Sequence, residues 1–235
     1  MHPTEIIAMN ESEAAPPCHD TRIDFFDRLA HQWDHSEQDP AETIRQVERR
    51  AELLDLRPGE QLLEVGCGTG QLTGWLAEQV RPGRVTAVDF SPEMIRKAAA
   101  KGIGADFRRA DACNDDLGNA EYDAVLCFHS FPHFRDKAAA LRNLARSLKP
   151  GGRLIVMHLN RRDEINEYHR GVGGAVGGDL LPDNQHFRQW LAEAGFAPPE
   201  IRDDENGFCL RTRLSLSATA GVKGQCLPTP KREVR

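Results

Sequence analysis

The 235-residue sequence has no apolar run approaching the roughly 20 residues that cross a bilayer, which excludes a helical membrane span. It also lacks the basic start and apolar stretch of a secretory signal, because Glu5, Glu11, Glu13 and Asp20 punctuate its opening. The six cysteines (Cys18, Cys67, Cys113, Cys127, Cys209, Cys226) show no CxxC spacing. They read as reduced packing thiols, not as disulfides or a zinc knuckle. Positive charge is not in excess: 30 Lys plus Arg stand against 36 Asp plus Glu, a net charge of −6. Neither nucleic acid nor an anionic membrane is an expected partner of such a surface. No repeat period points to a solenoid. What remains, with 40% hydrophobic and 28% charged residues, is a globular chain with an expected cytoplasmic setting. A single domain over 21–217 is expected, flanked by mobile tails at 1–20 and 218–235. Oligomeric state is not legible.

Apolar periodicity alternates between helix-like and strand-like segments. Asp39-Pro40 offers an N-cap and a first-turn proline, and Ile44, Val47, Ala51 and Leu54 then share one helical face up to Arg57-Pro58-Gly59. Strands are expected at Gln61–Val65, Arg84–Val88, Phe107–Ala110, Tyr122–Phe128 and Arg153–Leu159. Between them lie helices after Gly70, after the Ser91 cap, and from Lys137 to Leu148. A polar stretch, a glycine-rich segment and a helix near Gln185–Ala194 follow, then two strands near Glu200–Asp203 and Phe208–Leu214 joined by a short turn. This alternation predicts an α/β, Rossmann-like doubly wound sheet of seven strands, mostly parallel, with an antiparallel edge strand.

The chemistry concentrates where the first strand meets its helix, at Glu64-Val-Gly66-Cys67-Gly68-Thr-Gly70. A glycine-rich turn there lets a ligand approach backbone amides at a helix N-terminus. Asp89 ends the next strand, 23 residues after Gly66, where a carboxylate can accept both hydroxyls of a ribose. A dinucleotide loop would carry a third glycine at the position of Gln71, and Glu64 would repel phosphates while suiting an ammonium or sulfonium group.

These residues resemble the motifs of the class I S-adenosylmethionine-dependent methyltransferases, small-molecule type, over about residues 40–215. Glu64–Gly70 is similar to the family's first motif, Ala87–Met94 to the second and Arg109–Ala112 to the third, and Leu148-Lys-Pro-Gly-Gly152 resembles the signature before strand five. The resemblance implies S-adenosyl-L-methionine as cofactor. Gly66, Gly68 and Gly70 would surround its methionine part, Asp89 its ribose, and Asp111 with Ala112 its adenine. Phe90 and Met94 would pack on the base, with Glu64, Cys67 and Phe128 completing the expected shell. A nicotinamide-dependent oxidoreductase and a non-catalytic S-adenosylmethionine-binding protein remain alternatives at this point.

A small-molecule acceptor is expected beyond the carboxyl ends of strands four and five. The loop Cys127-Phe-His-Ser-Phe-Pro-His-Phe134 stands where amino-group methylases of adenine or glutamine would carry Asn/Asp-Pro-Pro-Tyr. His129, His133, His158 and His169 could converge there. One could act as general base, three could hold a divalent metal, or all four could serve packing. Gly171–Gly178 reads equally as a substrate lid or a connector. The segment Ile23–Asp34, with Phe25, Phe26, Leu29 and Trp33 on one face, resembles the opening element that folds over the cofactor in many small-molecule methyltransferases, or is a packing helix.

Overall fold

In the computed structural model, which describes residues 20–35 and 39–216, the chain alternates helices and strands around one sheet. The expected tails fall almost wholly outside the described residues, as do Cys18 and Cys226. Helix α1 (Thr21–Ala30) and a 3-10 turn (Trp33–His35) come first, then α2 (Pro40–Glu48) and α3 (Ala51–Leu54). The core unit is β1 (Gln61–Val65), α4 (Thr73–Val80), β2 (Arg84–Asp89), α5 (Pro92–Ala100), β3 (Asp106–Arg109) and β4 (Tyr122–Phe128). It continues through α6 (Lys137–Ser147), β5 (Leu148–His158), α7 (Arg162–Val172), α8 (Asn184–Glu193), β6 (Glu200–Asp204) and β7 (Gly207–Arg213).

The seven strands lie in the order β3-β2-β1-β4-β5-β7-β6. All neighbours from β3 to β5 are parallel, and the antiparallel pairing falls at the other edge, where β7 runs against both β5 and β6. The strand order reverses between β1 and β4, so a crevice opens beyond their carboxyl ends. Alternation along each strand divides the core. Leu63, Val65, Val125, Cys127 and Leu154 face α6 and α8, whose Leu141, Leu144, Phe187 and Leu191 pack in the same cluster. Leu62, Ala124, Leu126 and Ile155 face the other way, toward Val47, Leu54, Leu72 and Leu76.

Caps fix the helix starts. The Asp39 carboxylate accepts from the Ala41 amide (3.0 Å), the Ser91 hydroxyl from Met94 (3.1 Å) and the Asp136 carboxylate from Ala139 (2.8 Å). Three elements differ from the periodicity. The single helix expected after Pro40 breaks at Arg49–Arg50: the Arg50 amide tightens to a bond with the Val47 carbonyl, and its guanidinium takes the Gln46 carbonyl and reaches Asn206. Strand β5 begins at Leu148, with a register shift between its pairings to Tyr122 and Ala124. The polar stretch after β5 contains helix α7, whose buried stripe is only Ile165 and His169, an i, i+4 pair without an apolar period.

Candidate active site

The strand-to-helix turn after β1 closes against β2. Amides of Gly66 and Cys67 both donate to the Val88 carbonyl (2.7 and 3.0 Å), and Gly68 donates to Asp89 Oδ2 (2.9 Å). The other Asp89 oxygen accepts from the Ser91 amide (2.9 Å). Burial pushes the Asp89 carboxyl up to about 6, against the lowering effect of those backbone donors. Glu64 is buried behind the turn and accepts from Thr73 Oγ1 (2.6 Å); its desolvation pushes it up to about 8.

The three glycines serve different ends. A Cβ at Gly66 (φ +75°) would lie 2.3 Å from Ser130 Cβ, so this glycine admits the loop after β4, whose Ser130 hydroxyl donates to the Val65 carbonyl (2.5 Å). A Cβ on Gly68 (φ +54°) would lie 3.4 Å from Nε1 of the Trp33 indole. Gly70 instead packs on Ala98, Ile103 and Phe107, at 3.3–3.4 Å from the position of a Cβ.

These elements border a cavity at the crevice between β1 and β4. Of the residues expected around a cofactor, Gly66, Gly68, Asp89, Phe90, Met94, Asp111 and Ala112 line it. Glu64, Cys67, Gly70 and Phe128 do not; Cys67 and Phe128 pack in the apolar core, and Phe128 lies edge-on to His129 with ring centroids 4.4 Å apart. The Asp111 carboxylate is partly engaged by the Cys113 amide (2.8 Å) and Asn114 Nδ2 (2.9 Å).

The cavity's roof comes from α1 and the following turn. Phe26 contacts the rings of Phe90 (5.6 Å between centroids), Trp33 (6.0 Å) and His133 (4.9 Å). Polar latches hold this roof: Asp27 accepts from the Ser91 hydroxyl (2.5 Å), and Asp34 accepts from the Thr69 hydroxyl (2.5 Å) and pairs with Lys101 (2.7 Å). The N-terminal segment is thus both a packing helix and a cover. The glycine-rich segment adds to it, since Val176 is buried with Phe26, Ala30 and Met94.

The four histidines separate by environment. His129 and His133 line the cavity; His158 and His169 do not. His129 sits at φ +52°, and its Nε2 accepts from the Leu159 amide (3.2 Å), which places its proton on Nδ1. Burial, with the nearby His133 and His169, pushes it down to about 4. His158 is wedged between His129 and Phe208 and burial drives it well below the usual range, so it stays neutral. His169 is lowered by burial and lies 4.9 Å from the His133 ring. The His133 ring meets a carboxylate directly, Asp179 Oδ2 at 2.8 Å from its Nδ1; the backbone and charge of the same Asp179 also act on His169, against its burial. Among the described residues no three His, Cys, Asp or Glu side chains are placed to hold a metal ion, so the divalent-metal alternative does not fit this cluster.

Arg22, Ser130, Phe134 and Arg135 also line the cavity and were not singled out by the sequence. Arg22 donates to the His133 carbonyl (2.6 Å) and pairs with Asp20 (2.5 Å), which also meets Arg135 at 3.3 Å.

A parallel sheet with a reversed penultimate strand and a carboxylate-tipped crevice beside a glycine turn defines a Rossmann-like methyltransferase fold. Comparisons agree. A family model described as a methyltransferase domain matches residues 63–156. The ubiquinone biosynthesis O-methyltransferase of Xanthomonas oryzae pv. oryzae is 33% identical over 200 residues, covering 80% of this chain and 81% of that protein. Phosphoethanolamine N-methyltransferase 3 of Arabidopsis thaliana is 27% identical over 186 residues, 77% of this chain and 38% of its own. Among solved structures, an S-adenosylmethionine-dependent methyltransferase of Thermotoga maritima shares the fold with a TM-score of 0.63 at 19% identity, covering 84% of this chain and all (100%) of that one. The chain belongs to the class I S-adenosylmethionine-dependent methyltransferases. Its methyl donor is S-adenosylmethionine; neither an oxidoreductase nor a binding protein without turnover is favoured.

Proposed function

We propose that this enzyme methylates a hydroxyl oxygen on a small, flat acceptor, with His133 as general base. The observation that carries the reading is the His133 Nδ1 to Asp179 Oδ2 contact of 2.8 Å at the wall of the cavity. A hydroxyl is a weak nucleophile until its proton is removed, whereas a thiolate needs no such help. With Nδ1 committed to the carboxylate, Nε2 is the ring nitrogen left to take a proton. The rings of Phe26, Phe134 and His133 suit a planar acceptor. The O-methyltransferase named among the relatives is in keeping with this choice.

The cofactor half follows from the lining residues. Asp89 would accept the ribose hydroxyls, Asp111 and the Ala112 amide would read the adenine edge, and Phe90 and Met94 would hold its face, with Gly66 and Gly68 admitting the methionine part. Gly70 and Cys67 would act on this site through packing alone. Buried Glu64 would contribute a polar floor behind the turn, not a direct contact. S-adenosylmethionine supplies an electrophilic methyl group. With that donor bound, His133 Nε2 would take the acceptor's hydroxyl proton as its oxygen accepts the methyl group, with S-adenosylhomocysteine as the leaving group. The roof of α1 excludes water and aligns the acceptor. We place the reaction in the cytoplasm, in keeping with the free thiols of Cys67, Cys127 and Cys209; among the described residues no helix is long and apolar enough to cross a membrane.

The test is S-adenosylhomocysteine release with a panel of catechol, simple phenols, thiols and primary amines. Turnover on phenols that falls about 10²-fold or more in His133→Ala is the expected result. Turnover restricted to amines, or an unaffected His133→Ala enzyme, sinks the reading.

A further inference from the structure

We propose that Asp179 is the positioning residue for His133, delivered to it by the glycine-rich segment and locked there by Arg22 of α1. This rests on His133 being the base.

Sequence distance hides the arrangement. His133 lies in a single 3-10 turn after β4 (Phe131–His133), while Asp179 lies 46 residues on, between α7 and α8. Asp179 is 9% exposed, and it is pinned from both sides. Its amide donates to the carbonyl of Val176 (2.9 Å), a residue buried under Phe26 and Ala30 of α1. Two residues further, Leu181 exchanges bonds with the Asn166 side chain of α7 (2.7 and 3.1 Å). Reaching this position needs a sharp path: Gly173 and Gly174 have φ +65° and +54°, and a Cβ on Gly177 would stand 2.8 Å from Gly173 Cα. The glycines therefore build a tight bracket for one carboxylate, which a plain connector would not require.

Arg22 ties that carboxylate to the base's own backbone. Its Nη1 donates to the His133 carbonyl (2.6 Å) and lies 3.7 Å from Asp179 Oδ1, while Asp20 neutralises its other edge. The roof and the bracket thus meet at His133: α1 gives Val176 its apolar seat through Phe26 and gives Asp179 its cation through Arg22. Other charged or titratable groups nearby are His169 from α7, on which the Asp179 backbone and charge also act, His129 just past β4, Arg135, which pairs with Asp20 (3.3 Å), and Lys137 from α6, whose Nζ is spent on the Pro132 and Phe134 carbonyls (2.8 and 3.1 Å). None of them accepts from the His133 ring.

A carboxylate accepting from Nδ1–H keeps the proton on that nitrogen and leaves the Nε2 lone pair for the acceptor's proton. It also stabilises the imidazolium that forms when methyl transfer delivers that proton. Without Asp179 nothing holds the proton on Nδ1, and the neutral ring reverts to the Nε2–H tautomer that an unpartnered histidine favours.

The experiment combines imidazole nitrogen–proton correlation spectra with kinetics, on the full chain saturated with S-adenosylhomocysteine for the spectra. In the wild-type protein neutral His133 is expected to carry its proton on Nδ1, and Asp179→Ala is expected to shift it to Nε2. With catechol as acceptor, the size-conserving Asp179→Asn should lower kcat at least tenfold while the KM for S-adenosylmethionine changes less than about twofold. A wild-type proton on Nε2, or equal tautomers in wild type and Asp179→Ala, overturns the proposal without requiring any variant to turn over. A dead His133→Ala beside a fully active Asp179→Asn overturns it alone. Full activity in His133→Ala removes the base reading itself, whatever the tautomer.

Discussion

Cofactor affinity should depend on pH through Asp89. Ribose hydroxyls donate to a carboxylate, so binding selects the ionised form, yet burial lifts this group to about 6 before any ligand arrives. Protons therefore compete with the nucleoside. A site that must ionise first loses apparent affinity by the fraction protonated, which makes binding at pH 5 about tenfold weaker than at pH 7, or about 1.4 kcal/mol. Calorimetric titration with S-adenosylhomocysteine across this range, repeated in two buffers of different ionisation heat, reads both the slope and the proton release, which should be about half a proton near pH 6. Glu64, raised to about 8, titrates above this window. Asp89→Asn should bind at least tenfold more weakly at pH 7, having lost the charged acceptor, and should show no slope. A flat wild-type profile, or the same slope in Asp89→Asn, would refute the argument that this buried carboxylate holds the ribose.

Stability of the ligand-free protein should carry the signature of Glu64. Its folded-state value of about 8 exceeds the ordinary 4.5, so folding favours the protonated form, and stability falls as pH rises from about 4.5 to about 8 and then levels off. Glu64→Gln should flatten the loss in urea titrations, and a parallel decline in the variant would rule Glu64 out as its source. Gly66→Ala brings a Cβ to 2.3 Å from Ser130 Cβ at φ +75°, a combined overpacking and backbone cost of about 2–5 kcal/mol, part of which Ser130→Gly should recover. Denaturation of the single and double variants within about 0.5 kcal/mol of wild type would dismiss the clash. Asp34→Ala removes the acceptor shared by Thr69, Gln71 and Lys101, so S-adenosylhomocysteine should leave several-fold faster, followed by Trp33 fluorescence in stopped flow. An unchanged release rate would mean that the α1 roof does not gate the cofactor.

What was legible in the sequence divides along a physical line. The proposed cofactor half is built from residues at or just past strand ends: Gly66 and Gly68 come after β1, Asp89 ends β2, and Asp111 with Ala112 come after β3, so the parallel register that makes the sheet also brings them together. Local pattern is then enough to place them. It does not separate Gly70 from Gly66, because the same need for a bare Cα arises from a neighbouring helix in one case and from the loop after β4 in the other. The half proposed for the acceptor is different in kind. Arg22 meets the His133 carbonyl across 111 residues and Asp179 meets its ring across 46, through segments with no strand register to carry them. Nor could spacing rank four histidines whose chemistry is set by surroundings: burial neutralises His158, a backbone amide occupies His129, and a carboxylate engages His133. Helix α7 escaped for a related reason, since one of its two inward residues is His169, a polar side chain that joins the cluster around His133 instead of extending an apolar stripe. If these long-range meetings serve the base as proposed, exchanging Asp179 or Arg22 should alter the methyl-transfer step while leaving the Asp89-dependent affinity for S-adenosylhomocysteine, and its pH slope, as they are.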